Sequence, residues 1–244
     1  MTKPEESIPA KSVQYQDIFI FKRRIFQQYK WLEEFNTGKP WLQGRSYLLA
    51  KRVMDVIMVV LAMPLLSPLY VICALLIKLE DRKGPALFTQ QRTGKGGLRF
   101  GMYKFRSMVY NAEELKQTYA HLNELKWPDF KITKDPRVTK VGRFLRKTSL
   151  DEIPQLLNVL LGDMSLVGPR PTSFQAETYD LWQTQRLDVI PGITGLWQIM
   201  GRGNMEFIDR VYLDIFYIEH RSLSLDIQIL LRTVLAVVMQ KGVH

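Results

Sequence analysis

The chain has 244 residues, 46% of them hydrophobic, with 34 Lys and Arg against 24 Asp and Glu, a formal charge of +10 and a sequence pI near 9.6. That length suits one domain with an appendage, and the apolar content excludes a generally disordered chain. A lone cysteine, Cys73, excludes an internal disulfide, and His121, His220 and His244 lie too far apart in sequence to suggest a Cys/His zinc cluster. The basic surplus calls for an anionic partner, which composition leaves open between nucleic acid, acidic lipid and a phosphorylated substrate.

The first 52 residues hold ten Lys and Arg and five Asp and Glu, interleaved with aromatics such as Phe19, Tyr29, Trp31 and Trp41. Beside a membrane segment, Lys22-Arg23-Arg24 reads as an interfacial anchor rather than a nucleic-acid patch, although residues 1–14 fit a solvated tail equally well. From 56 to 77, 22 consecutive residues carry no formal charge. As a straight helix they would cover about 33 Å, enough for a bilayer core of about 30 Å. A buried soluble helix is the alternative, and the missing polar face argues against it. A cleaved signal peptide is excluded by the 55 residues that precede the run.

Pro64 and Pro68 each remove a helical donor, so a bend is expected there, eased if the Ser67 hydroxyl takes a freed carbonyl. Basic residues flank both ends: Arg45, Lys51 and Arg52 before, Lys78, Arg82 and Lys83 after. With no charge bias to orient a span, a helix that dips in and returns to the same face is favoured over one that crosses.

Residues 86–92 and 98–108 flank the turn Thr93-Gly94-Lys95-Gly96-Gly97 and predict a β-hairpin. Lys104 and Arg106, two apart, fall on one strand face, where they are either solvated or matched to a phosphate. The Gly94-Lys95-Gly96 run fails as a phosphate loop. Thr89 stands where the first glycine is required, no Ser or Thr follows the lysine, and a strand comes next. Residues 110–125 predict a helix and 127–137 a loop.

The densest chemistry lies in 142–171. Ile153, Leu156, Leu157, Leu160 and Leu161 have helical spacing, which puts Asp151 and Glu152 at a helix N-terminus. One reading is structural: Ser149-x-x-Glu152 has the form of a capping box, or Asp151 caps with Pro154 in the first turn. The other is a charged site with Arg143, Arg146 and Lys147, in which an ionised aspartate attacks phosphorus and Mg²⁺ relieves repulsion from a diphosphate. Spacing leaves both open. Arg170, between Pro169 and Pro171, is stiffly presented for phosphate or nucleotide. Residues 191–203 are too glycine-rich for a regular element; they form a structural turn or a loop offering Gln198 or Arg202 to a ligand. Residues 223–240, broken by Asp226, Gln228 and Arg232, predict an amphipathic or core-packing helix rather than a span.

Several motifs recur in one order from Lys51 to about Lys241: KR-x-x-D at 51–55, Ser67-Pro68, FTQQRTG at 88–94, YKFRSM at 103–108, SLDE-x-PQL-x-NVL-x-GDMS-x-VGPRP at 149–171, PGITGLWQ-x-x-GR at 191–202 and a closing YIE…LD-x-x-IL-x-T-V. This order resembles the bacterial sugar transferase family, the monotopic phosphoglycosyl transferases. The resemblance implies an α+β, helix-rich fold: a monotopic membrane protein with a re-entrant helix bent at Ser67-Pro68 and a small cytoplasmic globular part containing the hairpin. It implies transfer of a hexose-1-phosphate from a UDP-sugar to polyprenol (undecaprenyl) phosphate at the inner membrane, initiating exopolysaccharide, capsule or O-antigen synthesis. Asp151 would be the nucleophile of a covalent phosphosugar intermediate, with UMP released. Glu152 would assist through Mg²⁺, held with Asp151, or through proton handling. Lys104, Arg146 and Arg170 would bind phosphate or nucleotide.

Partners implied are the donor, the acceptor and membrane lipids, with no nucleic acid, and a homo-oligomer is left open. The expected organisation is an N-terminal extension over 1–50, a membrane helix over 51–83 and a catalytic part over 84–244. The extension and the 110–137 insert exceed the minimal members, and the extra spanning segments of the largest ones are missing. A non-catalytic membrane scaffold for polysaccharide assembly is the rival reading.

Overall fold

The computed structural model describes residues 41–124, 132–200 and 205–239, together with Leu32 and Phe35. The interfacial anchor at 22–24, the tail at 1–14 and Arg202 lie outside the described residues.

The uncharged run is the middle of one helix, α1 (Gly44–Glu80). Among the described residues it alone is long and apolar enough to cross a membrane, and only 11% of its most apolar stretch is buried. A core helix of a soluble protein would be mostly covered, so that alternative falls. Pro68 cannot donate to the Pro64 carbonyl, and the Ser67 hydroxyl donates to it instead, at 3.1 Å.

The two ends of α1 dock on the same globular part. Near its start, Lys51 donates to Asp226 at 2.9 Å, and Arg52 donates to the carbonyls of Val159 and Leu160. Asp55 accepts from the Ser165 hydroxyl at 2.6 Å. The basic flank that reads as a charge signature is therefore a polar root with three separate targets. At the other end, Glu80 accepts from the backbone N–H groups of Lys140 and Val141 at 2.7 and 2.9 Å. These are first-turn donors of α2 (Lys140–Lys147), which are otherwise without helical partners. Between Val59 and Cys73 no residue of α1 is buried.

Two apolar clusters match this division. The larger joins Val59 to Met102, Val159, Met164, Val167, Leu213, Leu225 and Ile229, and it takes in Leu32 and Phe35. The smaller joins Cys73 and Ile77 to Phe105 and Leu145.

The hairpin forms as expected: β1 (Leu87–Thr93) pairs antiparallel with β2 (Arg99–Phe105), in a register running from Leu87 opposite Phe105 to Thr93 opposite Arg99. The predicted helix over 110–125 does not form. Residues 110–124 are turns with two short 3₁₀ segments, Glu114–Lys116 and Ala120–Leu122. No residue there is buried, so nothing supplies the packing that sustains a short helix in water.

Helix α3 (Gln155–Leu161) leads into β3 (Ser165–Val167), which pairs in parallel with β4 (Gly192–Thr194). The glycine-rich stretch thus contains a strand, and the glycines serve close approach: a Cβ on Gly192 would stand 2.1 Å from the Gly168 nitrogen. The remaining helices are α4 (Phe207–His220) and α5 (Leu223–Val238). Helix α5 packs into the core through Leu225 and Ile229, while Asp226 is fully buried and bonded by Tyr47, Lys51 and Tyr217.

Candidate active site

Asp151 and Glu152 sit in a 3₁₀ turn, Leu150–Glu152, wedged between α2 and α3. Ser149 enters that turn at φ 58°, the only non-glycine residue with positive φ among the described residues. A left-handed serine costs on the order of 1 kcal/mol, and such strain tends to persist where a functional turn requires it. The capping reading is overturned: α3 begins at Gln155 behind Pro154, and Ser149 makes no side-chain cap. The Glu152 side chain turns instead to two cations.

Lys104 Nζ donates to Glu152 Oε1 at 2.9 Å, and Arg170 clasps both oxygens, Nη1 to Oε2 at 3.2 Å and Nη2 to Oε1. Arg146 Nε donates to the Ser107 hydroxyl at 2.8 Å, within electrostatic reach of Asp151. The predicted residues Asp151, Glu152, Lys104, Arg146 and Arg170 thus meet, from four segments of the chain. Arg106 does not join them. It clasps the end of α1, donating to the Asp81 side chain at 2.6 Å and to the Asp81 and Lys83 carbonyls. The strand ends at Phe105, so the shared face expected for Lys104 and Arg106 stops short of Arg106.

The two acids differ in state. Asp151 is buried, and among the described residues nothing donates a hydrogen bond to its carboxylate. Burial raises its pKa, Lys104 opposes, Glu152 adds repulsion, and the net displacement is upward despite Arg146 and Arg170. Burial also acts to raise Glu152, but Arg170 and then Lys104 outweigh it and hold that carboxyl well below its ordinary value. One acid is a fixed anion; the other is a more basic carboxylate with unused lone pairs.

A second layer, unread in the sequence, holds Arg170. Arg186 Nη2 donates to the Arg170 carbonyl at 3.0 Å and to Asp214 at 2.6 Å, and both side chains are buried. Burial raises the Asp214 carboxyl to about 6, against the pull of Arg186. Asn158 fastens α3 to β2, accepting from the Tyr103 N–H at 2.9 Å and donating to the Gly101 carbonyl at 2.8 Å. Arg92, on β1, lies within electrostatic reach of Arg170 and Glu152. Its place inside the FTQQRTG motif was the available signal. Gln198 donates to the Ile193 carbonyl at 3.0 Å, bracing its own loop.

For a divalent cation, no group of three or more His, Cys, Asp or Glu exists among the described residues. The donor set still suits Mg²⁺, which takes one or two carboxylates and completes its shell from phosphate and water. The unbonded Asp151 oxygens are the available ligands, and the surrounding cations favour a metal arriving with a diphosphate over the bare ion.

The sequence profile of the family described as bacterial sugar transferase matches residues 46–240. The chain is 45% identical over 201 residues to the galactosyl transferase CpsE of Streptococcus agalactiae, covering 81% of this chain and 44% of that protein. It is 44% identical over 208 residues to the undecaprenyl-phosphate galactose phosphotransferase of Salmonella typhimurium, covering 83% and 43%. It is also 44% identical over 198 residues to the UDP-glucose:undecaprenyl-phosphate glucose-1-phosphate transferase of Caulobacter vibrioides, covering 76% and 68%. The chain thus spans less than half the length of the first two relatives.

Proposed function

Because the chain belongs to the bacterial sugar transferase family, we propose that it transfers a hexose-1-phosphate from a UDP-sugar to undecaprenyl phosphate at the cytoplasmic face of the inner membrane. The observation that carries the mechanism is the unequal pair: a buried Asp151 without a hydrogen bond beside a Glu152 locked by Lys104 and Arg170.

An Asp151 oxygen attacks the sugar-bearing phosphorus of the donor. The bond from that phosphorus to the bridging oxygen breaks, and UMP leaves with the electron pair. A phosphate oxygen of the lipid then attacks the same phosphorus, restoring the Asp151 carboxylate and yielding a polyprenyl diphosphate sugar. Lys104, Arg146 and Arg170 neutralise phosphate oxygens in both steps. Glu152, held far below its usual pKa, is ill suited to carry a proton, so its role is to fix Lys104 and Arg170. Asp151, with Glu152 alongside, would hold Mg²⁺, which would supply charge neutralisation to the diphosphate.

The membrane reading draws support from α1. Both its ends bond to the same globular part, while residues 60–72, around Ser67-Pro68, have no buried member. A bent segment that enters and leaves on one side accommodates these facts. Galactose and glucose are the proposed sugars, as in the names of the relatives.

The test is a UDP-hexose labelled at the phosphate next to the sugar, incubated with Mg²⁺ and purified protein. Label is expected on Asp151, with stoichiometric UMP release, and both vanish in Asp151→Asn. Undiminished label in that variant overturns the nucleophile, and absence of UMP release from the unaltered protein favours a scaffold.

A further inference from the structure

Among the described residues, no carboxylate is bonded to Arg92. Its Nε and Nη2 both donate to Gln90 Oε1, at 3.2 and 2.6 Å, a neutral acceptor two residues back on the same strand. The hairpin register sets Phe88 opposite Lys104, Gln90 opposite Met102 and Arg92 opposite Phe100. Cross-strand partners share a face, and so do alternate residues along a strand. Arg92 therefore lies on the hairpin face that carries Lys104 to Glu152.

Burial, and then repulsion from Arg170, hold the Arg92 guanidinium down to about 10. Arg92 is half-buried, and its neighbour Thr93 donates to the Thr172 carbonyl at 2.9 Å, which brings Arg92 alongside the segment that carries Arg170. Glu152, the acid within reach, is already taken up by Arg170 and Lys104. Lys104, Arg146, Arg170 and Arg92 face Asp151 and Glu152, and Arg99 also acts on Arg92, so positive charge is in excess around the turn. A shallow surface cleft of only about 10 Å³, lined by Thr93, Gly94, Arg170, Thr172, Tyr179 and Arg186 among others, adjoins Arg170 and opens to solvent. Tyr179 in its wall is within electrostatic reach of Arg92. A positive excess of this kind suits a phosphorylated anion.

We propose that Arg92 and Arg170 form a second anion subsite, taking the nucleotide-side phosphate of a nucleoside diphosphate donor while Lys104 and Arg146 hold the phosphate that Asp151 attacks. The nature of the anion rests on the transferase reading above; the surplus charge does not. When the bridging P–O bond breaks, negative charge grows on the departing nucleotide phosphate. A fork of two arginines placed there binds the transition state more strongly than the ground state. The subsite also gives Arg170 two tasks, since it is shared between Glu152 and the leaving phosphate.

Binding of UMP and of inorganic pyrophosphate to the purified full chain tests this, by titration calorimetry and by shift of the unfolding temperature. Arg92→Gln should weaken UMP about 10- to 100-fold, the loss expected for a charge-assisted hydrogen bond. Arg92→Lys should fall between, keeping charge without the fork. Lys95→Gln, which removes one charge from the exposed hairpin turn, should leave affinity unchanged. Without ligand, Arg92→Gln should unfold at the same or a higher temperature, because repulsion from Arg170 is relieved. A residue serving only structure would lower it. Equal affinity of both probes for unaltered protein and Arg92→Gln overturns the subsite. Arg92-dependent pyrophosphate binding with no UMP binding keeps the subsite and overturns the nucleotide reading. If neither probe binds the unaltered protein, both fall. Should Arg92→Gln fail to fold, unchanged affinity in Arg92→Lys overturns the proposal.

Discussion

Asp226 anchors the first half of α1, and its replacement has a calculable consequence. Its fully buried carboxylate accepts from Lys51 at 2.9 Å, Tyr47 at 3.0 Å and Tyr217 at 2.6 Å. Asp226→Leu leaves the Lys51 ammonium, whose side chain is only 12% exposed, without its bonded acid and with the more distant Asp55 left to attract it. Breaking a buried ion pair from one side costs about 3–5 kcal/mol, and the hydrogen bond lost by the Tyr47 hydroxyl, which keeps Tyr217 as a partner, adds about 1–2 kcal/mol. Tyr217 loses less, because its hydroxyl retains the Val167 carbonyl at 3.3 Å. The total of about 4–7 kcal/mol is comparable to the whole stability of an ordinary domain, about 5–15 kcal/mol. Lys51→Met in the same chain removes that charge, though Asp55 then loses the attraction of Lys51, so the double variant should recover a large part of the loss but not all of it. Denaturant unfolding of the detergent-solubilised protein, followed by tryptophan fluorescence, measures all three variants. A double variant no more stable than Asp226→Leu would refute the assignment of the cost to Lys51. UMP release should collapse and recover in parallel, since this root sets α1 against the part that carries the site.

Glu152→Gln removes the charge that repels Asp151 and frees Lys104 and Arg170 to act on it, so Asp151 ionises at lower pH. Turnover should fall about 10- to 100-fold through loss of the two positioned cations, and the acid limb of its pH–rate profile should move downward. An upward move contradicts the electrostatic account. For topology, Trp41→Cys and Lys95→Cys, each in a Cys73→Ser background, flank α1. A membrane-impermeant thiol reagent should leave both unlabelled in intact cells and label both after lysis. Labelling of just one from outside excludes a helix that returns to its own side.

The sequence by itself determined what periodicity and local chemistry can carry. A charge-free run of 22 residues announced α1, because no soluble helix leaves so much apolar surface without a polar face. Pro64, Ser67 and Pro68 announced their own repair, since a hydroxyl beside a proline can reach the carbonyl that the proline abandons. Glycines between alternating residues announced the hairpin. The motif order brought the family into view, along with the acids and cations of the candidate site.

Long-range pairing was beyond it. Spacing left Glu152 open between a cap, which it favoured, and a charged site, because either use needs an acid at a helix start. The tertiary structure decided by bringing Lys104 from β2 and Arg170 from the loop after β3 to the same carboxylate. Lys51, Arg52 and Asp55 read as flanking charge, since nothing local tells that their partners lie more than a hundred residues away. Residues 110–125 have helical composition, but none of 110–124 is buried against a partner, and composition cannot report a missing partner. Arg92 is the plainest case: one arginine in a strand is unremarkable until the Thr93–Thr172 bridge brings a second, Arg170, within its electrostatic reach. A surplus of basic residues could be counted from the chain, but charge becomes a site only when folding holds like charges together against their repulsion.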